Sequence, residues 1–240
     1  LVSITQGGFA IMNPTTPEKV LAAGRAAGLR EGSRVVEIGC GNGTILALWG
    51  REYGVSGLGI ESREGACRRA EETFRAAGPG GRLRVRCMDA REYVSDEPFD
   101  CAASIGASHI HGGFAATLDA LLDLVHGEGS IVIGDRFWRS DRAPPEFARA
   151  WPDVPTGYEV LGTAREAGLD LAAVIRADGA DWDRYESGIW QSVLSWLGAH
   201  PDHPDRDSMI DYLHRLQDEY FGYGREYMDW ALFVMVPGFW

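Results

Sequence analysis

Short apolar segments alternate with longer helix-like segments between residues 33 and 135, and this rhythm restricts the folds open to the chain. Consecutive parallel strands need a long crossover, which is usually a helix packed on the sheet. The pattern therefore predicts an α/β fold in which helices cover both faces of a mostly parallel sheet. The predicted strands here are Ser33–Ile38, Val55–Ile60, Leu83–Cys87, Phe99–Ile105 and Ser130–Gly134, and the predicted helices are Thr44–Tyr53, Glu64–Ala77 and Phe114–His126.

The flanking regions add further elements to this core. Thr16 followed by Pro17 is typical of a helix start, so a helix is expected over Glu18–Ala27. A glycine-rich turn at 78–81 is expected to end the second core helix. Beyond residue 143 the predicted elements are a helix Tyr158–Ala167, a strand Asp170–Arg176, two amphipathic helices Trp182–Leu197 and Asp205–Tyr220, and a last strand Asp229–Val236.

These elements predict one domain over residues 1–240, because this length suffices for one well-buried core. Residues 1–30 would supply a lid, around Gln6–Asn13, and a helix. Residues 31–140 would form the cofactor-binding core of a seven-stranded sheet. Residues 141–240 would supply substrate-side elements, with a helical insertion at about 181–222 before the last strand.

Charge and composition limit the classes of binding partner and the cellular compartment expected for the protein. The formal net charge is -12, which repels nucleic acid. The sequence contains neither an apolar run of about 18–20 residues nor an N-terminal signal pattern, so a membrane partner is not expected. The cysteines form neither a CxxC pair nor a zinc spacing, which favours a reduced, cytoplasmic protein. They are Cys40, Cys67, Cys87 and Cys101.

The first predicted strand runs directly into a glycine-rich loop, EIGCGNGT, at residues 37–44. Glycines between a parallel strand and a helix let a ligand approach the backbone closely. A dinucleotide-binding fingerprint would place its third glycine where this chain has Thr44. The spacing is instead that of ExGxGxG, with glycines at 39, 41 and 43.

Two carboxylates follow at the ends of the next two strands. Glu61 ends the second strand about 20 residues beyond the loop, where an acidic side chain can hold ribose hydroxyls. Asp89 follows the third strand and could meet an adenine amino group. The fourth strand ends in Gly106 and Ala107, which leave room beside the loop.

The set VVEIGCGNGT, GIE, MDA and FDCAASIG resembles the class I S-adenosylmethionine (SAM) methyltransferases. The segments MNPTTPEK, GDRFWR and DWDRYE resemble small bacterial members of that superfamily. The resemblance implies a Rossmann-like fold, SAM as cofactor and S-adenosylhomocysteine as product. It implies that the cofactor is bound by Glu37, Gly39, Cys40, Gly41, Gly43, Glu61, Ser62, Asp89, Ala90, Ile105 and Gly106.

Candidate catalytic residues follow the fourth and fifth strands, at the sheet edge where ligands of open α/β sheets bind. They are His109, His111 and Asp135. A histidine here could act as general base or orient the acceptor, or it could simply hydrogen-bond its own loop. A metal site formed with Asp135 is not expected, because the HxH spacing is short and no further ligand is evident.

The expected acceptor site lies beyond these residues. Arg136 could hold an acidic substrate group or face water, and Trp138, Trp182 and Tyr185 could form an apolar wall or belong to the core. The leading hypothesis is methyl transfer to a small-molecule O, N or S acceptor. Other chemistry on SAM, non-catalytic cofactor sensing and a nicotinamide-dependent oxidoreductase remain alternatives.

Overall fold

The computed structural model of the chain describes residues 1–78 and 82–239. Within those ranges seven strands form one sheet: β1 (Arg34–Ile38), β2 (Ser56–Glu61), β3 (Leu83–Cys87), β4 (Phe99–Ile105), β5 (Val125–Trp138), β6 (Leu169–Arg176) and β7 (Met228–Pro237). Their order is β3-β2-β1-β4-β5-β7-β6, and β7 runs in the direction opposite to the other six strands. The sheet confirms the predicted α/β architecture. Residues 79–81 of the predicted glycine-rich turn lie outside the described residues.

Helices cover both faces of this sheet. In the described ranges they are α1 (Val2–Thr5), α2 (Pro17–Ala26), α3 (Thr44–Tyr53), α4 (Glu64–Ala76), α5 (Phe114–Leu122), α6 (Pro145–Ala148), α7 (Gly157–Glu166), α8 (Gly179–Ala199), α9 (Arg206–Glu219) and α10 (Arg225–Tyr227). One face packs against α2 and α3, and the other against α5 and α7. In this part of the chain, no helix combines the length and the apolar character that crossing a bilayer requires.

The residues of β1 alternate between these two cores. Val35 packs with the side chains of α2 and α3, while Val36 and Ile38 pack with those of α5. This alternation is the period of two that a strand imposes. The start of α2 also follows the prediction, since the Thr16 hydroxyl accepts a hydrogen bond from the Lys19 N–H at 3.3 Å.

The start of β5 differs from the prediction. The sequence predicted that the preceding helix reaches His126, whereas α5 ends at Leu122. Val125 already pairs with Phe99 of β4, and the register then shifts before Ser130 resumes regular pairing. The long-range pairing of Val125 therefore ends the helix, although the local sequence favours its continuation.

A helical insertion formed by α8 and α9 separates β6 from β7, as predicted. Asp178 and Asp181 form a capping box at the start of α8. Lys19 of α2 forms ion pairs with both carboxylates, at 3.1 Å from Asp178. These contacts hold the start of the insertion against α2, the helix that precedes β1.

The prediction that all cysteines are reduced is wrong for one pair. Cys67 in the first turns of α4 and Cys87 at the end of β3 form a disulfide, with Cα atoms 5.9 Å apart. α4 begins at the edge where β2 ends, and the parallel strand β3 returns the chain to that same edge, so residues 20 apart in sequence become neighbours. Cys40 and Cys101 are free and buried.

The acidic side chain of Glu37 is buried inside the sheet. Glu37 of β1 lies on the face covered by α3, between Gly59 of β2 and Ala103 of β4, and is 1% exposed. Burial raises the pKa of Glu37 to about 8, and the charge of Glu61 acts in the same direction. The backbone N–H of Leu46 opposes the shift, while the Oε2 atom has no hydrogen-bond partner among the described residues.

Removing the disulfide should destabilise the protein. A cross-link that closes a loop of this length contributes about 3 kcal/mol through the entropy of the unfolded chain. Thiol titration of the denatured protein should find two thiols without reductant and four with it. Urea unfolding should shift to lower concentration when reductant is added, and the double variant Cys67→Ser/Cys87→Ser should not respond. Four thiols in the untreated, freshly purified protein would contradict the pairing.

Glu37 should make stability depend on pH. Its pKa is raised from its usual 4.5 to about 8, so the folded state retains a proton that the unfolded state has lost between these values. Its contribution to stability is therefore full below about pH 4.5 and is lost as the pH rises towards 8. Glu37→Gln should stabilise the fold by about 2 kcal/mol or more at pH 8.5 and change little near pH 4.5.

Urea unfolding across this pH range tests the expectation. The exposed Glu92→Gln variant is the matched control and should keep the pH profile of the original protein. Identical profiles for Glu37→Gln and the original chain would contradict the assignment.

Candidate functional site

Two adjoining cavities lie at the carboxyl edge of the sheet. The strand-end cavity, of about 400 Å³, opens above the ends of β1, β4 and β5. The side cavity, of about 270 Å³, lies above the ends of β2 and β3. The two share the lining residues Gly39, Glu61, Ser62, His109 and Ile110. A larger depression of about 1290 Å³ lies at the opposite edge, away from every predicted site residue.

The glycine loop contributes Gly39 to both cavities. Gly39 has a φ of 69°, and a Cβ there would lie 2.5 Å from the Cβ of Ala107. The other loop positions serve packing: a Cβ at Gly43 would lie 2.6 Å from Phe74, and one at Gly41 would collide with Met12. Cys40 is buried and lines neither cavity. Of the predicted loop residues, Gly39 alone lines a cavity in the described part of the chain.

The Glu61 carboxylate accepts hydrogen bonds from the glycine loop and from Arg63. Its Oε2 accepts from the Gly41 N–H at 3.0 Å and its Oε1 from the Arg63 N–H at 2.9 Å. The Arg63 guanidinium donates to both oxygens. Burial raises the pKa of Glu61, but the hydrogen bonds from Arg63 outweigh it and lower the pKa below its usual value. Hydroxyls that donate to Glu61 would therefore compete with Arg63, which is 45% exposed.

A similar pair lies at the end of β3. Asp89 accepts the Arg91 N–H at 3.0 Å and pairs with the Arg91 guanidinium. The Arg91 side chain, and then its backbone N–H, lower the pKa of Asp89 to about 2. Asp89, the buried Ala90 and Arg91 all line the side cavity. The side cavity is thus bounded by a carboxylate at each of two strand ends.

The two histidines after β4 lie in different places. His109 is exposed and lines both cavities. His111 lines neither; burial lowers its pKa, the Arg91 charge adds to this and Asp89 opposes it. Its Nε2 is buried and has no hydrogen-bond partner among the described residues. Within residues 1–78 and 82–239, no three His, Cys, Asp or Glu side chains converge as a metal site would require.

The predicted site residues at the end of β5 lie in two places, the strand-end cavity and a hydrophobic cluster. Asp135 and Arg136 line the strand-end cavity, and the Asp135 Oδ1 accepts the Arg136 N–H at 2.7 Å. Trp138 instead packs edge-on against Phe147 with ring centroids 5.4 Å apart. Trp138 therefore lies in a hydrophobic cluster outside both cavities.

Trp182 and Tyr185 of α8 also differ in position. Trp182 is buried against Tyr220 and lines neither cavity. Tyr185 lines the strand-end cavity, and burial raises its pKa to about 12. Residues three apart on a helix share a side only approximately, so one can enter the core while the other reaches the cavity.

An N-terminal roof, formed by residues 6–14, covers the strand-end cavity. The Gln6 Nε2 donates to the Tyr185 hydroxyl at 3.0 Å. The Asn42 Nδ2 of the glycine loop donates to the Phe9 carbonyl at 2.9 Å, and the Asn13 Nδ2 donates to the Ile105 carbonyl at 3.3 Å. The segment predicted as a lid is thus tied to the glycine loop, to β4 and to α8.

Sequence reasoning missed several residues of these cavities. Arg63 and Arg91 each follow a strand-end acid by two positions, and this repeated spacing is a signal that could have found them. Asn13 belongs to the predicted lid, but its contact with Ile105 of β4 was not predicted. Trp230 of β7 reaches the strand-end cavity through the antiparallel pairing of β7 with β5, for which the local sequence offers no signal.

Comparisons with known proteins agree with this geometry. Residues 35–129 match the family model of a methyltransferase domain. A SAM-dependent methyltransferase of Thiobacillus denitrificans, crystallised with S-adenosylhomocysteine, is 34% identical with a TM-score of 0.89 over 98% of this chain and 97% of that one. A SAM-dependent methyltransferase of Geobacter sulfurreducens, also crystallised with S-adenosylhomocysteine, is 33% identical. Its TM-score is 0.90, and the similarity covers 98% of this chain and 96% of that one.

A third relative is the protein YjhP of Escherichia coli, which is 31% identical over 98% of this chain and 97% of its own length. Its crystal structure has a TM-score of 0.91 to this chain. Full-length similarity of this kind favours a SAM enzyme over a nicotinamide-dependent oxidoreductase. The glycine loop, the two strand-end carboxylates, the seven-stranded sheet and these relatives together establish that the chain belongs to the class I SAM-dependent methyltransferases.

Proposed function

We propose that this methyltransferase transfers the methyl group of SAM to an oxygen, nitrogen or sulfur atom of a small molecule bound in the strand-end cavity. The observation that carries the proposal is the pair of adjoining cavities, which meet at Gly39, Glu61 and His109. One cavity suits a nucleoside, and the other has room for a compact acceptor beneath the N-terminal roof.

The residues of the side cavity fit the adenosine part of the cofactor. Asp89 lies where its carboxylate would accept the adenine amino group, with Ala90 beside the ring. Glu61 would accept the ribose hydroxyls once Arg63 moves aside. Ser62 borders both cavities at this point. We assign the adenosine to this side because both carboxylates end strands that lie on the same side of β1.

The methionine part would then lie over Gly39, next to Ile105 and Gly106. The absence of a side chain at Gly39 allows close approach of a ligand to the backbone. Glu37, Cys40, Gly41 and Gly43 line neither cavity, so we assign them to support of the loop and not to direct contact. Glu37 would then lie buried below the bound cofactor without touching it, and the positive charge of the cofactor would favour ionisation of its carboxyl group.

The chain's own contribution to the reaction is alignment and proton removal. Bound SAM supplies a methyl group on a positively charged sulfur, and the carbon–sulfur bond breaks as the acceptor's lone pair forms the new bond. Alignment of the two reactants can lower the barrier by several kcal/mol. A protonated acceptor also needs a base for the proton that it releases.

We assign that base to His109 and a positioning role to Asp135. His109 borders both cavities, next to the proposed methyl position, and no hydrogen bond occupies its ring among the described residues. Asp135 lines the strand-end cavity one strand further along the sheet. His111 lies outside the cavities and receives no role in the reaction.

Two observations favour a small acceptor: the limited volume of the strand-end cavity and the negative net charge of the protein. The strand-end cavity of about 400 Å³ must also hold the methionine part of the cofactor. The net charge of -12 disfavours a polyanion. A compact acceptor that enters when the roof opens meets both conditions.

Asp89→Ala should weaken cofactor binding about tenfold, because the adenine amino group loses its acceptor. Calorimetric titration with S-adenosylhomocysteine measures the change, with NAD as the negative control ligand. The exposed Asp96→Ala variant should bind as the original protein does. Unchanged affinity in Asp89→Ala would refute the adenine assignment, and binding of NAD alone would refute the assignment of the cavities to SAM.

His109→Ala should lower turnover about a hundredfold with an alcohol, phenol or amine acceptor, while affinity for S-adenosylhomocysteine stays intact. Release of S-adenosylhomocysteine on a panel of small acceptors measures the turnover. His214→Ala, on the exposed side of α9, is the matched control and should retain activity. Loss of cofactor affinity in His109→Ala would move this residue from the acceptor to the cofactor.

A further inference from the structure

Arg136 lines the strand-end cavity and forms no ion pair among the described residues. Its guanidinium lies 4.6 Å from the ring centroid of Trp151. In the described ranges it has neither a hydrogen-bond acceptor nor a carboxylate within ion-pair distance. The other arginines near the site are paired: Arg63 with Glu61, Arg91 with Asp89, and both Arg139 and Arg176 with Asp229.

The position of Arg136 separates it from the proposed cofactor contacts. β5 is the second strand from β1, on the side opposite to β2 and β3. Neighbouring strands lie about 4.8 Å apart, so the end of β5 is roughly 10 Å from the glycine loop. A group bound by Arg136 therefore belongs to the molecule that lies beyond the methyl group, which is the acceptor.

The stacking on Trp151 suits Arg136 to bind an oxyanion. A guanidinium held over an indole ring keeps its N–H donors free at the edge. Those donors form a planar fork that matches a carboxylate in a two-point hydrogen bond. Tyr185 and Trp230 line the same cavity and supply an apolar wall for the rest of the ligand.

The neighbouring acids limit the charge of that ligand. The Asp135 carboxylate lies next to the Arg136 backbone. Glu186 of α8 is buried, and burial raises its pKa to about 7. The charge of Arg136 lowers this pKa, and the charge of Glu219 on α9 raises it. Burial raises the pKa of Tyr185 and of Tyr212, the charge of Arg136 opposes this with a smaller effect, and His109 lines the same cavity. Because the Asp135 and Glu186 carboxyl groups lie near Arg136, a ligand with one negative charge is favoured over a phosphate dianion.

We propose that the methyl acceptor is a small carboxylic acid, whose carboxylate binds Arg136 and whose body lies between Tyr185 and Trp230. The proposal rests on the proposed function, because it assumes that the acceptor occupies the strand-end cavity. The carboxylate anchors the molecule at the end of β5. The atom that receives the methyl group then lies towards His109 and the end of β4.

Calorimetry with the protein saturated by S-adenosylhomocysteine tests the proposal without knowledge of the natural acceptor. The probes are benzoate, its neutral counterpart benzamide, and phenyl phosphate. Benzoate should bind about tenfold or more tightly than benzamide, as expected for a charge-assisted two-point contact, and more tightly than phenyl phosphate. Arg136→Gln should abolish the preference for benzoate, and Arg136→Lys should retain part of it.

Arg142→Gln is the matched control, because Arg142 is an exposed arginine on the segment that follows β5. This variant should keep the benzoate preference, and all variants should bind S-adenosylhomocysteine as the original protein does.

Four results would overturn the proposal. They are absence of benzoate binding, equal binding of benzoate and benzamide, tighter binding of phenyl phosphate, and a preference that survives Arg136→Gln. Loss of S-adenosylhomocysteine affinity in Arg136→Gln would instead assign Arg136 to the cofactor and equally refute the acceptor role. Failure of the original protein to bind S-adenosylhomocysteine would count against the proposed function itself, so the two failures are distinguishable.

Discussion

The site depends on one feature of the topology: the connections that follow the neighbouring strands β1 and β4 leave the sheet on opposite faces. After β1 the chain turns to one face of the sheet to form α3, and after β4 it turns to the other face to form α5. Two neighbouring parallel strands whose connections leave in opposite directions open a crevice at their carboxyl ends. Both cavities lie at this edge, and every proposed ligand contact from β1 to β5 follows from it.

Electrostatic pairing then divides the crevice into two environments. At the ends of β2 and β3, each carboxylate is already satisfied by an arginine two residues further along the chain. A ligand there must replace existing hydrogen bonds, so its affinity is a difference between two sets of contacts. At the end of β5 the charge of Arg136 is unpaired among the described residues, and a ligand of opposite charge gains a contact without breaking one.

Much of the fold could be predicted from the sequence because its signals are local. α3, β3 and β4 have the predicted bounds, and α3 and β4 are each delimited by glycine or proline next to an apolar segment. The early end of α5 and the disulfide of Cys67 depend on partners elsewhere in the chain, and neither could be deduced from local patterns. The same limit explains why the two arginines at the end of β5 and just beyond it differ. Arg139 is paired because Asp229 of β7 lies beside it, whereas Arg136 is not.

The N-terminal roof has a kinetic consequence. Its ties to Asn42, Ile105 and Tyr185 are hydrogen bonds to the elements that also line the cavity. If these ties hold the roof over a bound molecule, local opening of the roof would set the rate at which that molecule exchanges with solvent, independently of bond making. Slow departure of the demethylated product, and not the methyl transfer step, would then limit the cycle. The residence time of the product thus becomes a property of the first fourteen residues.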